Sequence, residues 1–412
     1  MFRRFLMFAL LAVFLCPSWG QQGGELFPAW TPGILDIHQI STGRGNSVLL
    51  IFPDGTTALI DSGAQPADHH PRSVPPRPDA SRAPGEWIAR YVRRMLAHER
   101  TPTLDYAILT HLHDDHIGNL AGVSKVSSGG AYKLTGITEV AEYVPIRTII
   151  DRAWPDYNYP EPLTPEVLRN YRTFLGWQVQ HNGLRVDRIV PGRCDQIVLR
   201  RSAGKYPNFE VRNIAANGEV WTGGGTNTRK HFPPLADLTP SELPSENMCS
   251  IALRISYGRF DYFTGGDITA YKDEGEPRWR DIERPVAQVT GPVDVYLLNH
   301  HGHYDSNSAY FISMLRPRVA IMPVWSAAQP DRHVLRRLVF EDRYPGPRDV
   351  FATSMAEANR AVLADWMDRL KALEGHIVVR VAAGGDVYKV FVLDNAAENY
   401  RIKSVHGPYE SR

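Results

Sequence analysis

Six consecutive positions, His111-Leu112-His113-Asp114-Asp115-His116, hold three histidines and two aspartates, and they constrain this chain more than any other stretch. The chain has 15 histidines in 412 residues, so three within six positions exceed what composition alone explains. The run Leu104 to Thr110 leads straight into the cluster and reads as a buried strand ending in a loop of ligand-type side chains. His111 and His113, two apart on such a loop, can turn their imidazoles toward one cation, while Asp115 and His116 face a second position. Imidazole and carboxylate are ligands that Zn²⁺ takes at about 2.0–2.2 Å, and an open coordination position makes such a site catalytic. Asp114 reads as a solvated or structural loop residue.

The rest of the chain supplies strands and helices in a definite order. Ile34 to Ile40, Ser47 to Phe52 and Thr56 to Asp61 read as three short strands, with Pro53-Asp54-Gly55 turning between the last two. Residues 64 to 85 carry six prolines and read as an exposed loop in which His69 and His70 face solvent. Trp87, Ile88, Tyr91, Val92, Met95 and Leu96 fall on one helical face. Thr164-Pro165 starts a helix with proline at its first position, and Phe209 to Ile214 alternates like a strand. Ser250 to Ser256, Phe260 to Thr264, Val293 to Leu298 and Val319 to Val324 are further strands, and Asp267 and His300-His301 stand just past the ends of two of them. A helical segment from 356 to 373 and a strand pair, Ile377 to Val381 and Val387 to Leu393, close the pattern. Strands at both ends with helices after each set predict an α/β sandwich of two sheets covered by helices.

Residues 1 to 20 read as an export signal, with Arg3 and Arg4, an apolar stretch from Phe5 to Leu15, and Ser18-Trp19-Gly20 at the cleavage site. The apolar stretch is short for a membrane anchor. The expectation is a secreted or periplasmic protein, with no membrane anchor after cleavage. Losing two arginines and no acid moves the formal charge from +1 to about −1, so net charge does not advertise a polyanion-binding surface. Cys194 and Cys249 survive cleavage and either pair or stand apart as small core residues; neither belongs to a Cys-x-x-Cys zinc motif.

Thr110-His111-Leu112-His113-Asp114-Asp115-His116-Ile117-Gly118 resembles the signature of the metallo-β-lactamase superfamily, and the wider pattern is similar to its competence-protein (ComEC-type) branch. The further matching motifs are Gly43-Arg44-Gly45-Asn46-Ser47, Pro53-Asp54-Gly55 with Asp61-Ser62-Gly63, Asn247-Met248-Cys249-Ser250, Thr264-Gly265-Gly266-Asp267 and His300-His301-Gly302. The resemblance implies an αββα four-layer sandwich with a mid-chain insertion. The hydrolase domain would span 34–400, with the insertion at about 130–245, an N-terminal extension at 21–33 and a tail at 401–412. It implies that His111 and His113 bind a first metal, that Asp115, His116 and His301 bind a second, and that Asp267 bridges the two. Asp61, His300 and Asn247 would sit behind the ligands and orient them. Arg44, His303 and Tyr304 are candidates for contact with substrate. The departures are specific: most members place a third first-metal histidine before the bridging aspartate, where this chain reads Ser245-Glu246-Asn247-Met248. Asn119 replaces a glycine after the cluster, Ser41 and Asn46 replace acids, and Gln329-Pro330 stands where His-Pro is common.

The expected chemistry is hydrolysis without a side-chain nucleophile. Two divalent ions, zinc by default with manganese or iron also suited, activate a shared water and polarise the substrate oxygen. Asp115 would shuttle the proton and His301 would hold the reacting centre. The branch resemblance implies a phosphodiester, either a small molecule or a nucleic acid strand. The alternatives are a lactone, amide or thioester substrate, which the near-neutral charge favours, and a binding protein with a decayed metal site, which the intact ligand run opposes. The loop Gly223 to Gly225 lacks the lysine pattern of a nucleotide-cradling loop.

Overall fold

The computed structural model describes residues 22–66, 73–120, 124–270 and 275–412. The export signal expected over residues 1–20, and His69 and His70, lie outside the described residues. Strands β1 (Leu35–Gln39), β2 (Val48–Ile51) and β3 (Thr57–Ile60) form the expected antiparallel meander, and Gly55 takes φ 85° at the turn between β2 and β3. Helix α1 (Pro84–Met95) buries Trp87, Ile88, Tyr91 and Val92, and β4 (Leu104–Ile108) then pairs parallel to β3. The histidine loop leaves the end of β4 and winds into the short helix α2 (Asp114–Ile117).

The middle of the chain is built into both sheets. After α3 (Gly136–Tyr143) come β5 (Ile146–Asp151), α4 (Glu166–Asn182) and β6 (Arg185–Arg188), and both strands extend the first sheet in parallel. Pro165 takes the cap position of α4, one residue before the place expected from the sequence. Strands β7 (Phe209–Ala216), β8 (Glu219–Trp221) and β9 (Thr228–Lys230) belong to the second sheet, where β7 pairs with β10 (Ala252–Tyr257).

The second sheet continues through β11 (Phe260–Thr264), α5 (Glu283–Thr290), β12 (Val295–Leu297), α6 (Ala309–Leu315), β13 (Val319–Met322), α7 (Arg332–Val339) and β14 (Asp349–Ala352), with β11 to β14 parallel. The helix expected over 356–373 is two short ones, α8 (Glu357–Val362) and α9 (Ala364–Met367). The chain then returns to the first sheet as β15 (His376–Val381), β16 (Val387–Leu393) and β17 (Ile402–Glu410). Residues 401–412, expected as a tail, therefore supply an edge strand along β16. Each sheet reads, in order, β17-β16-β15-β1-β2-β3-β4-β5-β6 and β14-β13-β12-β11-β10-β7-β8-β9.

Alternation along the strands makes the layers. Val48 and Leu50 of β2 face a core shared with Leu253, Val295 and Ile321 of the other sheet, while Leu49 and Ile51 face a second core with residues of α1, α3 and α4. A third core joins the outer face of the second sheet to α5, α6 and α7. The result is the expected αββα sandwich. Among the described residues no helix is long and apolar enough to cross a membrane. The segment expected as an exposed loop, 64–85, is partly internal: Val74 is buried, and its N–H donates to the Trp325 carbonyl at 2.9 Å. Cys194 and Cys249 are both free thiols, and burial pushes the Cys249 thiol up to about 12.

His376, the first residue of β15, carries a pH dependence. Its Nδ1 accepts the Ser41 N–H at 3.0 Å, which a protonated ring cannot do. Burial, with His38 and Lys403 adding to it, pushes its pKa down to about 3. The unfolded chain takes up this proton near pH 6.5. Stability from the neutral ring is therefore complete above pH 6.5, and falls by up to about 1.4 kcal/mol per unit as the pH drops from there toward 3. Urea unfolding at pH 7.5 and pH 5 should show the wild type losing about 2 kcal/mol more than His376→Gln. Equal losses would contradict this reading.

Candidate metal centre

Four strand ends meet at one edge of the sandwich. Asp61 follows β3, the histidine loop follows β4, Asp267 follows β11 and His300-His301 follow β12, each at the carboxyl end of a strand in a parallel pair. In α/β sheets this edge is where ligands bind. The loop around α2 is held against it by main-chain bonds. The Asn46 N–H donates to the Asp115 carbonyl at 2.8 Å, and the Ser62 N–H donates to the His116 carbonyl at 2.7 Å. The approach is close enough to demand glycine at two places: a Cβ on Gly45, at φ 129°, or on Gly63 would lie 2.3 or 2.1 Å from the Asp115 carbonyl oxygen.

Asp115, His116, Asp267 and His301 are all buried, and their ligand atoms lie within 4.8 Å of one another. His116 Nε2 is 3.2 Å from Asp267 Oδ1 and 3.2 Å from His301 Nε2, and His301 Nε2 is 3.1 Å from Asp115 Oδ2. The other nitrogen of each ring is engaged: His116 Nδ1 is 2.7 Å from Asp61 Oδ2 and His301 Nδ1 is 3.0 Å from the Pro323 carbonyl. Each Nδ1 thus faces an acceptor, and the two Nε2 atoms face each other across 3.2 Å. That arrangement calls for a positive charge between them, and a carboxylate or carbonyl behind the ring is how metal-ligating histidines are held. The donor set therefore fits a divalent cation.

The electrostatics show the same demand for positive charge, met by a proton on His116 where a cation would otherwise sit. Burial opposes charge on His116, yet the carboxylates of Asp267, Asp61 and Asp115 outweigh it and hold its pKa well above the usual histidine value. Burial likewise disfavours charge on Asp115, but His116 and His301 pull its pKa down. His111 is fully buried, and burial together with His116 and His113 keeps it neutral, the form that ligates.

The remaining expected residues fall into place unevenly. His111 Nε2 is 3.7 Å from Asp267 Oδ2 and 3.1 Å from His113 Nδ1, with the His113 side chain exposed, so these two stand beside the compact cluster without joining it. Asp61, at φ 59°, accepts from Thr110 N, Thr110 Oγ1 and Asn46 Nδ2 besides His116, and so fixes both strand ends and ring. Asn247 Nδ2 lies 3.4 Å from His300 Nε2. His303 Nδ1 is 3.0 Å from Asp305 Oδ1, and Tyr304 is 57% exposed beside it. Arg44, a candidate substrate contact, is instead buried: its Nη1 donates at 2.6 Å to the carbonyls of Gly43 and Val74, so the guanidinium ties the turn to the following loop.

The sequence profile of the Metallo-beta-lactamase superfamily matches residues 41–143. The fold is the metallo-β-lactamase fold. Three of the solved structures to which the chain is similar are the following. CmlA, a diiron beta-hydroxylase from Streptomyces venezuelae, is 13% identical over 85% of this chain and 55% of that one, with TM-score 0.39. A metallo-beta-lactamase from Cronobacter sakazakii is 14% identical over 66% of this chain and 79% of that one, with TM-score 0.32. The short form of human tRNase Z is 12% identical over 69% and 91%, with TM-score 0.30. No curated protein matches the chain in sequence.

Within this metallo-β-lactamase fold, one support of the site escaped the sequence. Glu246 occupies the stretch where a third histidine was missing. Its Oε1 accepts the Leu112 N–H at 2.8 Å and Arg152 Nε at 2.7 Å, and Arg152 Nη2 pairs with Oε2. Arg152 is fully buried, so a buried ion pair holds the residue between His111 and His113. No local pattern marks two residues 94 positions apart as partners. Asp305, five residues after His300, was also missed, although an acid so near a histidine pair is a visible signal.

Proposed function

We propose that this protein is a metal-dependent hydrolase acting on phosphodiesters. The observation that carries the reading is the convergence of Asp115, His116, Asp267 and His301, whose free ring nitrogens face one another inside a buried carboxylate pair. Divalent cations bound there supply Lewis acidity and a nucleophilic water at neutral pH. The chain's own part is positioning: Asp61 fixes the His116 ring through Nδ1, the Pro323 carbonyl fixes His301, and Glu246 fixes the loop between His111 and His113. Asp115, a member of the cluster held as a carboxylate by His116 and His301, would accept a proton from a water bound there. Cys249 is buried with its thiol protonated, which supports hydrolysis without a thiolate nucleophile.

The choice of phosphodiester rests on the likeness of the ordered motifs to the competence-protein branch. Zinc suits the imidazole and carboxylate donors, and manganese or iron are the alternatives. The test is turnover of bis(p-nitrophenyl) phosphate by zinc- or manganese-loaded protein, against a lactone and an anilide. Phosphodiester turnover that chelation abolishes and added metal restores is the expected result. Turnover of the lactone or anilide alone would overturn the substrate class, and no turnover by fully loaded protein would overturn the hydrolase.

A further inference from the structure

We propose that His300, braced by Asp305, completes the first metal position as the imidazole that the Ser245-Glu246-Asn247 stretch lacks. This rests on the reading of the cluster as a metal centre. Glu246 cannot serve in that role, because both of its oxygens are committed to Arg152 and one also to the Leu112 N–H. Asn247 reaches toward His300, its Nδ2 standing 3.4 Å from His300 Nε2.

Three observations aim His300 at the site. Its Nε2 lies 3.7 Å from Asp267 Oδ2, the same oxygen and the same distance as His111 Nε2. Ligand atoms about 2.1 Å from a tetrahedral ion are about 3.4 Å apart, so both spacings suit a shared ion. Next, His300 Nδ1 is 2.6 Å from Asp305 Oδ1, which places the proton on Nδ1 and the lone pair on the nitrogen facing Asp267. Last, the backbone is turned to make this possible. Adjacent side chains on an extended chain point to opposite sides. His300 (φ 46°, ψ 43°) and His301 (φ 55°, ψ 14°) both adopt the left-handed conformation that side-chain-bearing residues rarely take, and both Nε2 atoms come to 3.7 Å from Asp267 Oδ2. One histidine needs no such turn; two serving one carboxylate do.

His300, His303 and Asp305 also cluster among themselves. An ion seated there would need His300 Nδ1, which the proposal assigns to Asp305, so His303 separates the two arrangements.

The experiment is calorimetric titration of metal-free full-length protein with Zn²⁺, with bound metal measured directly and Co²⁺ absorption read in parallel. Wild type should take two ions. His300→Ala should keep one site and weaken the other by about 100-fold or more, with the Co²⁺ spectrum of that site altered; Asp305→Asn should weaken it by about 10–100-fold. His303→Ala should bind both ions as wild type does. Metal-free His300→Ala should unfold at the same denaturant midpoint as metal-free wild type, so that lost binding is not lost folding. Two ions at wild-type affinity in His300→Ala, a single ion in wild type, or loss of an ion in His303→Ala would each overturn the proposal. Wild type that binds two ions and hydrolyses nothing would sink the hydrolase and leave this assignment standing.

Discussion

Asp267→Ala should reduce hydrolysis by about 10³-fold or more, the several kcal/mol that bound cations contribute to such a barrier. The reason is geometric. Its Oδ1 meets His116, and its Oδ2 stands 3.7 Å from His111, His300 and His301, so one carboxylate links the residues of both metal positions. Removing it also strips negative charge from four neighbouring imidazoles, and bound metal should fall together with kcat/KM. Asp267→Asn keeps the shape and loses the charge, and should behave nearly as badly. The check is kcat/KM with metal content measured on the same samples. Wild-type metal content with a less than tenfold drop in kcat/KM would show that the bridging role is wrong.

The second large effect is on folding. Arg152→Ala should destabilise the protein by about 3–5 kcal/mol, because it leaves the mostly buried Glu246 carboxylate without its partner. The loss reaches the site, since the same carboxylate holds the Leu112 N–H between His111 and His113. Arg152 also donates to the Tyr159 carbonyl and to Asn217 Oδ1, which lose their donor in the variant. The double replacement Arg152→Met/Glu246→Met should cost less than Arg152→Ala alone, because no charge is left buried. Denaturant unfolding of the three proteins settles the order, and a single variant within 1 kcal/mol of wild type would show that the pair is not a structural clamp.

These two residues mark the boundary of what the sequence discloses. The convergence of Asp115, His116, Asp267 and His301 was legible because these residues follow strand ends, and a strand end shows as an apolar run followed by polar residues. The inner strands were legible for a related reason: β2, β3 and β4 are buried on both faces and mostly apolar, and β1 alternates apolar with polar residues. Edge strands were not. β6 reads Arg-Val-Asp-Arg and β17 reads Ile-Lys-Ser-Val-His-Gly-Pro-Tyr-Glu, and both are held by main-chain bonds along one side while their side chains stay partly in solvent. A sheet edge needs no apolar pattern, so 401–412 looked like a tail. Arg152 and Glu246 were hidden for another reason. Their pairing depends on where β5 ends relative to the turn before β10, which only the folded sheets determine.

The most direct test of the metal centre is anomalous diffraction from crystals of the full chain soaked in or grown with Zn²⁺, recorded on either side of the zinc absorption edge. The account predicts a peak among Asp115, His116, Asp267 and His301, at about 2.0–2.2 Å from the nearest nitrogens and carboxylate oxygens. A site that stays without anomalous density at saturating zinc, with His116 still paired to Asp61, would contradict it.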